Sequence, residues 1–278
     1  MLKILSFIFI VSLPLFGVVK LHLAGSTTIQ PIFEGLKPYM QKDFGLSPIV
    51  EGGGSQKGLE MLSNNLVDIA MVSRDLSEAE KAKYNYITLG YDGLAIIVHK
   101  ENPIEKISKK QLKDIYSGKI ENWKEINSKL TNEIIVISKM VGRGTLDIFE
   151  HYIQLQNPKT TNKKYSYPPI TNKAWEAGAN NDSMVWVGGI RDSIGFVSFG
   201  AIKEFEGYDL PIKVLPLDLV QPTNTTIQNK SYPIVRELNL VYQKSNTKAD
   251  DFVKMLQNAK VDEMIEKHHF IRAKYENK

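Results

Sequence analysis

A glycine-rich junction at residues 52–58, with the sequence GGGSQKG, lies between the apolar pair Ile49-Val50 and a helical stripe that begins at Leu59. Glycine lets the backbone approach a ligand with no Cβ in the way. At the start of a helix, free backbone N–H groups and the helix dipole favour an anion. A strand, a glycine turn and a helix in this order therefore predict an α/β protein with an oxyanion site at the junction.

Two further junctions repeat this order. Residues 25–28 (GSTT) follow a strand candidate and precede a helix expected to start at residues 29–33, while residues 142–145 (GRGT) precede a helix that contains Phe149. Each junction alone is weak evidence, because most glycine and serine turns bind nothing. Three in one chain, each after a strand and before a helix, are harder to dismiss, since ligands of open α/β sheets sit at the carboxyl ends of the strands.

Short apolar runs alternate with helical patterns from residue 19 onward, which predicts an α/β fold. The runs are mostly uninterrupted, as expected of strands covered on both faces. The strand candidates are residues 19–24, 69–72, 94–99, 134–138, 194–199, 212–215 and 238–242. Two polar stretches, residues 154–183 and 220–233, are expected to be surface excursions or crossovers.

Helical stripes occupy the segments between these runs. Ser108 and Gln111 form a capping-box pattern, and Gly118 is expected to end the helix that follows. Two other stripes have apolar residues at helical spacing and are interpreted as core packing. They are Leu59, Leu62 and Leu66, and Phe252, Met255 and Leu256.

Composition narrows the function classes. The 278 residues are 42% hydrophobic and 24% charged, which suits two modest lobes or one large α/β domain. The absence of cysteine excludes a disulfide scaffold, a zinc ribbon and a cysteine enzyme. The net charge of +4 is spread along the chain, so we expect no nucleic-acid partner.

The N-terminus has the pattern of a secretory signal peptide. Lys3 precedes the apolar run 4–15, and Gly17 supplies a small residue for cleavage. We therefore expect residues 1–17 to be removed and the mature chain to be a soluble monomer, most consistent with a Gram-negative periplasm. A buried first helix or an uncleaved anchor is the alternative.

Seven blocks of the sequence resemble, in order and spacing, the phosphate-binding proteins of ABC importers, the PstS-like group. They cover nearly all of the chain beyond residue 17. The blocks are GSTT at 25–28, EGGGSQKG at 51–58, DIAMVSR at 68–74, YDGLAIIV at 91–98, the QL, IYSG and NW segments within 111–123, GRGT at 142–145 and IGFVS at 194–198.

The resemblance implies an α/β, two-lobed periplasmic binding protein fold of type II, with the ligand in a cleft between the lobes. Residues 18–93 and 231–278 would form lobe I, and residues 94–230 lobe II. It implies capture of inorganic phosphate for an ABC transporter permease in the inner membrane, with no enzymatic activity, cofactor or metal. The positions that match the family's ligand contacts are Ser26, Thr27, Thr28, Ser55, Ser73, Arg74, Lys139, Gly144 and Thr145.

The third junction departs from the family pattern. Lys139 stands where an arginine is usual, Val141 where an acidic residue is usual, Arg143 at the hydroxyl position and Leu146 at a later arginine. One interpretation is that Arg143 supplies the guanidinium to the ligand; the other is that it points to solvent or pairs with a carboxylate. Asp75 or Asp92 could accept a proton of the ligand, or could instead cap a helix or brace the hinge.

Alternatives from other classes stay open. The cleft could bind sulfate or molybdate, or the fold could serve a sensory or adhesion protein. A phosphohydrolase is less favoured, because it needs metal ligands or an activated nucleophile. The histidines at 22, 99, 151, 268 and 269 show no metal-ligand spacing, and GGGSQKG lacks the second glycine of a nucleophile elbow.

Overall fold

The computed structural model describes residues 19–127, 129–160 and 166–273, so the expected signal peptide lies outside the described residues. In chain order the strands and α-helices are β1 Val19–Gly25, α1 Gln30–Phe44, β2 Leu46–Glu51, α2 Ser55–Ser63, β3 Ile69–Val72, α3 Glu78–Lys83, β4 Asn85–His99, α4 Lys109–Tyr116, β5 Ile135–Lys139, α5 Gly144–Ile153, β6 Trp175–Ala177, α6 Asn180–Gly189, β7 Ser193–Ser198, α7 Phe199–Glu204, β8 Ile212–Leu215, α8 Asn224–Gln228, β9 Val235–Tyr242, α9 Lys248–Met255, α10 Ala259–Lys267 and β10 Ile271–Arg272. The described helices include none long and apolar enough to span a bilayer.

The strands lie in the order β2-β1-β3-β9-β4-β7-β5-β6, with β8 and β10 also paired to β4. The pairs β1–β2, β1–β3, β5–β6 and β5–β7 are parallel. Since the junctions at 25–28, 52–58 and 142–145 follow β1, β2 and β5, each lies at the carboxyl end of a strand with a parallel neighbour. This is the edge at which α/β sheets bind ligands.

Strand β4 belongs to both halves of the molecule. Its residues 85–93 pair with β9, whereas residues 94–98 pair with β7 and residues 96–99 with β8. The two halves are therefore joined by a continuous strand, with β9 beside it at the crossing.

Separate hydrophobic cores lie on the two sides of this crossing. One packs α1, α9 and α10 against β1 and β9 and includes Phe33 and Leu240. Another, with Trp123 and Phe149, packs α4 and α5 against β4 and β7. Tyr232 and Ile234 belong to the second core, and the Tyr232 hydroxyl donates to the Leu94 carbonyl at 2.8 Å, so this core extends past residue 230, the boundary expected from the sequence.

The predicted helix signals have mixed outcomes. The capping box is confirmed: the Ser108 hydroxyl accepts from the Gln111 amide at 3.2 Å, and the helix ends before Gly118, whose φ is 76°. The placement of Leu66 in the α2 stripe is wrong. The helix ends at Ser63, a left-handed Asn65 turns the chain toward β3, and Leu66 is 61% exposed.

Candidate functional site

The three glycine junctions meet between the two lobes. The Gly54 amide donates to the Gly25 carbonyl at 2.8 Å, and the Gln56 amide donates to the Gly142 carbonyl at 3.2 Å. A Cβ on Gly144 would lie 2.6 Å from the Ser55 hydroxyl oxygen, so only glycine permits this approach. The three junctions that the sequence singled out therefore lie together.

Five buried hydroxyl groups collect at this meeting point, and we call them the hydroxyl cluster. Ser26, Thr28, Ser55 and Ser73 belong to lobe I and Thr145 to lobe II, and each is at most 6% exposed. The Ser55 and Ser73 hydroxyl oxygens lie 3.4 Å apart. Buried hydroxyls in such number are suited to a polar ligand, because buried polar groups need hydrogen-bond partners.

Arg236, on β9, lies at the centre of the hydroxyl cluster with its side chain fully buried. Its Nη1 donates to the Thr145 hydroxyl at 2.8 Å, and its Nη2 donates to the Thr28 hydroxyl at 3.2 Å. Its Nε and Nη2 both donate to Asp92 Oδ2, at 3.0 and 2.7 Å. Arg236 thus connects Thr28 of lobe I and Thr145 of lobe II with Asp92 on β4, the strand that both lobes share.

The two carboxylates proposed from sequence as acceptors for a ligand proton are bonded to the protein framework. Asp92 holds Arg236 through Oδ2 and accepts from the Gly200 amide through Oδ1 at 3.2 Å. Asp75 Oδ1 accepts from the Glu237 amide at 3.2 Å. Asp92 links β4 to the start of β9, and Asp75 holds the start of β9. These contacts correspond to the alternative from the sequence in which the carboxylates brace the hinge.

Lys139 is 1% exposed at the end of β5. Its Nζ donates to the Ala179 carbonyl at 2.7 Å and to the Ser183 hydroxyl at 2.5 Å. Burial lowers the pKa of Lys139 from 10.5 to about 7; the Asp182 charge opposes this shift, while Arg236 and Arg143 reinforce it. The ammonium is therefore partly ionised near neutral pH.

Arg143 is the N-cap residue of α5 and is partly buried. Its Nη2 would lie 3.8 Å from a Cβ on Gly178, and its Cδ 3.1 Å from one on Gly54, so the side chain runs between the lobes. Its guanidinium makes neither a hydrogen bond nor an ion pair with any residue in the described ranges. Burial lowers its pKa, and the charge of Asp182 opposes that shift.

The first turn of α5 adds backbone donors to the site. In the described part of the chain, the Gly144 and Thr145 amides have no acceptor, because the cap residue Arg143 supplies no side-chain oxygen. Amides at a helix start are left without intrahelical partners and favour an anion. Together with the hydroxyl cluster and Arg143, they offer a concave set of donors.

The structure does not bring Arg74 into this set. Its Nη1 and Nη2 donate to the two oxygens of Glu80, each at 2.8 Å, and its Nε lies 3.1 Å from Asp147 Oδ2. The arginine is thus engaged by carboxylates, and it bridges lobe I to α5 of lobe II. Thr27, also predicted from sequence, is partly exposed and lines a neighbouring pocket.

That pocket, of about 320 Å³, opens between the lobes beside Thr28. Its walls come from the start of α1, from α6 and α7, and from the residue before β10. They include Gln30, Asn180, Asn181, Phe205 and Phe270. The Asn180 side-chain amide donates to the Thr28 hydroxyl at 3.4 Å, which joins the pocket to the hydroxyl cluster.

Two residues that contribute to the site were not identified from the sequence. Arg236 lies just before the strand expected at residues 238–242, and Asn180 lies in the polar stretch 154–183 that is expected to be a surface excursion. An arginine two residues before an apolar strand carries a signal that could have been used, because a charge that close to a core must be paired. No cluster of three or more potential metal-ligating side chains occurs within residues 19–127, 129–160 and 166–273.

Comparison with known proteins agrees with this geometry. Residues 16–259 match the family model for the PBP superfamily domain. The phosphate-binding protein PstS of Staphylococcus epidermidis is 28% identical over 244 residues, which is 82% of this chain and 70% of that protein. The Staphylococcus aureus phosphate-binding protein PstS is 27% identical over 251 residues, covering 84% and 72%.

Solved structures share the architecture. A candidate phosphate ABC transporter substrate-binding protein of Clostridium perfringens, with bound phosphate, aligns with a TM-score of 0.79 and 28% identity over 92% of this chain and all of that one. An ABC-type phosphate transport receptor of Vibrio cholerae gives 0.74 and 26% over 91% of this chain and all of that one. The α/β, two-lobed fold expected from the sequence is confirmed, and the chain belongs to the PBP superfamily.

Proposed function

We propose that this chain captures phosphate in the cleft between its lobes and delivers it to an ABC permease. The observation that carries the proposal is the hydroxyl cluster, which draws Thr28 and Thr145 from opposite lobes and lies beside the unbonded amides of α5. A ligand held by both lobes favours the closed arrangement, and closure is the state that a permease would distinguish.

The names of the relatives support phosphate as the ligand. The staphylococcal proteins are named for phosphate binding, and the clostridial structure contains phosphate. The set of donors suits a tetrahedral oxyanion, since hydroxyls, helix-start amides and Arg143 are all hydrogen-bond donors. The same relatives are binding proteins, and we infer that this chain likewise binds its ligand without turning it over.

The site residues in this proposal are Ser26, Thr28, Ser55, Ser73, Lys139, Arg143, Gly144 and Thr145. Thr27 adds a contact at the rim, and Arg74 acts from the neighbouring lobe interface. Lys139 contributes charge according to its ionisation. Arg236, which the sequence did not indicate, holds three of these residues, Thr28, Ser73 and Thr145.

Extracytoplasmic location and a monomeric state are part of the same proposal. They rest on the signal-peptide pattern of residues 1–17 and on the transport role of the relatives. Intact-mass measurement of the exported protein is expected to show a chain that lacks about the first 17 residues. Recovery of the full-length chain from the periplasm would contradict the cleavage.

Calorimetric titration with phosphate, arsenate, sulfate and molybdate tests the binding function. One stoichiometric site for phosphate is expected. Thr28→Val is expected to weaken it by about 10- to 150-fold, because a hydrogen bond to a charged group contributes about 1.5–3 kcal/mol. Thr131→Val, on the exposed surface, is the matched control and should bind as the parent does.

The outcome with all four anions separates the alternatives. Preference for sulfate or molybdate would replace phosphate as the ligand and keep the transport role. Absence of heat with every anion would contradict the proposal and favour a sensory or adhesion protein. Release of phosphate from esters by the purified protein would favour a hydrolase.

A further inference from the structure

The hydrogen-bond donors of Arg236 are all used within the protein. A guanidinium has five N–H groups. Nε and one Nη2 hydrogen go to Asp92, the other Nη2 hydrogen to Thr28, and Nη1 donates to Thr145 and to Ser73, whose carbonyl and hydroxyl oxygens lie at 3.2 and 3.4 Å. Arg236 therefore has no N–H left for a ligand and acts on the site through the groups that it holds.

The effect of Arg236 on the two threonines follows from its lack of acceptors. Arginine donates only, so the hydroxyl oxygens of Thr28 and Thr145 must accept from it. Thr28 also accepts from the Asn180 amide. Each threonine hydroxyl proton must then point away from the arginine, and it is available to an oxygen in the cleft.

The oxygens of the three serine hydroxyls also accept hydrogen bonds from the protein. Ser26 Oγ accepts from the amides of Thr28 and Ile29, at 3.1 and 3.4 Å. Ser55 Oγ accepts from the Ser73 amide at 3.1 Å, and Ser73 Oγ accepts from Arg236. Every member of the hydroxyl cluster thus accepts a hydrogen bond from the protein. One proton of the Ser55–Ser73 pair lies between their two oxygens, which are 3.4 Å apart, so four hydroxyl protons of the cluster remain to be donated to a ligand.

We propose that Arg236 is a positioning residue that fixes Thr28 and Thr145 of the hydroxyl cluster as donors, so that the cleft selects oxyanion faces that carry no proton. The inference rests on the proposed function and adds the protonation class of the ligand. Asp92, the carboxylate that contacts Arg236, has both oxygens engaged by the protein. It is therefore not free to accept a ligand proton.

Three tetrahedral dianions, of which only one carries a proton, provide the test. Hydrogen phosphate carries one hydroxyl, monofluorophosphate has fluorine in its place, and sulfate has no proton. A site built to bind a ligand hydroxyl rejects analogues without it by about 10⁴-fold or more. A cluster that only donates is expected to bind monofluorophosphate and sulfate within about 100-fold of phosphate at pH 8, measured by competition calorimetry.

Arg236→Lys tests the positioning role. Lysine keeps the positive charge opposite Asp92 but loses the planar fork, so the threonine hydroxyls become free to rotate. Sulfate affinity is expected to fall about tenfold more than phosphate affinity, because rotated hydroxyls can accept from phosphate but not from sulfate. An unchanged sulfate-to-phosphate ratio in a folded variant would overturn the positioning role, since a purely structural defect would weaken both anions alike.

Thr145→Val and Thr145→Ser keep the inference testable if Arg236→Lys fails to fold by circular dichroism. The valine variant removes one donor and should lose at least about tenfold in sulfate affinity, whereas the serine variant should retain it. Equal sulfate binding by both would refute the donor assignment. Phosphate binding with sulfate and monofluorophosphate both more than about 100-fold weaker would refute the inference alone, whereas failure of every anion to bind would refute the proposed function.

Discussion

Lys139 and Arg143 divide the positive charge of the site differently from the family pattern. Lys139 takes the usual arginine position, but its ammonium is bonded to Ala179 and Ser183, and burial lowers its pKa to about 7. Arg143 stands at a hydroxyl position and carries a guanidinium with no acceptor among the described residues. The geometry therefore favours the interpretation in which Arg143 reaches the ligand.

Replacement of Arg143 by serine tests this interpretation. Arg143→Ser restores a hydroxyl but removes the charge, and truncating a buried charged partner costs about 2–5 kcal/mol. Because Arg143 is only partly buried, we expect the low end, about 30-fold weaker phosphate binding by calorimetry. The matched change is Lys139→Met. If Arg143→Ser binds as the parent does while Lys139→Met abolishes binding, Lys139 alone serves in place of the family's arginine.

Proton uptake should accompany binding at pH 8. The pKa of Lys139 is about 7 in the folded chain, against 10.5 for an ordinary lysine, so the group is mostly neutral at pH 8. A bound anion favours the ammonium and raises this pKa, so a proton enters on binding. Calorimetry in buffers of different ionisation enthalpy measures the uptake, and Lys139→Met should remove it.

The same pKa sets a pH dependence of stability without ligand. Between about pH 7 and 10.5 the unfolded chain binds more protons at Lys139 than the folded chain does. The free energy of unfolding should therefore gain a rising contribution across this window. If the parent and Lys139→Met show the same uptake and the same profile, Lys139 does not titrate in this range.

At the residue scale, the sequence indicated most of the donors but not their organiser. Ser26, Ser55 and Thr145 stand in glycine junctions, which are visible as local patterns. Arg236 acts through contacts to residues far away in the chain, and its strand was predicted to begin at 238, whereas β9 begins at Val235. No local pattern encodes a pairing that depends on which strands become neighbours.

At the level of elements, helix α2 approaches β1 closely enough to require glycine. A Cβ on Gly58 would lie 2.6 Å from the Ala24 carbonyl oxygen and 2.8 Å from the Gly25 Cα, both of which are backbone atoms. This contact sets the distance between the first two junctions. The helix start that carries Ser55 is thereby held against the strand end that precedes Ser26.

Gly58→Ala is expected to lower the free energy of unfolding by about 1–3 kcal/mol, because overpacking displaces backbone that cannot yield. Gly189→Ala is the matched control at the end of α6, where an added Cβ meets nothing within 4 Å. Its higher helix propensity should leave stability equal or raise it by up to about 1 kcal/mol. Urea titration measures both, and equal effects at the two sites would contradict the packing argument.

The elements were predictable to the extent that their patterns were continuous. All seven strand candidates correspond to strands or to parts of them, since buried runs are uniformly apolar. The first half of β4, residues 85–93, was missed because it includes exposed and polar positions. The short strands β6 and β10 pair with neighbours supplied by distant segments, and three or two residues are too few to form a pattern.

For the molecule as a whole, Arg74 provides a direct ionic link between the lobes. It holds Glu80 within lobe I and reaches Asp147 on α5 of lobe II at 3.1 Å. The side chains of Arg74 and Asp147 are 17% and 38% exposed, so solvent screens the pair only in part. We infer that this contact favours the closed arrangement.

Asp147→Asn should shift the ligand-free protein toward an open form, because the interlobe attraction is lost. The expected effect is at most about 1 kcal/mol, or a few-fold in the population ratio. Small-angle scattering should show a larger radius of gyration at low salt. Glu80→Gln removes the partner that Arg74 has within lobe I and should leave the radius of gyration unchanged. An equal increase in both variants would contradict the role of the Arg74–Asp147 pair.

The late position of β9 in the chain has a consequence for synthesis. Arg236 follows Ser73 by 163 residues, yet β9 lies between β3 and β4 in the finished sheet. A nascent chain therefore cannot complete its first lobe until nearly all of it has left the ribosome, since nonlocal strand pairing must await the last partner. In the export proposed above, the chain would enter the secretion channel before Arg236 has met its partners, and the cleft would be assembled only after passage.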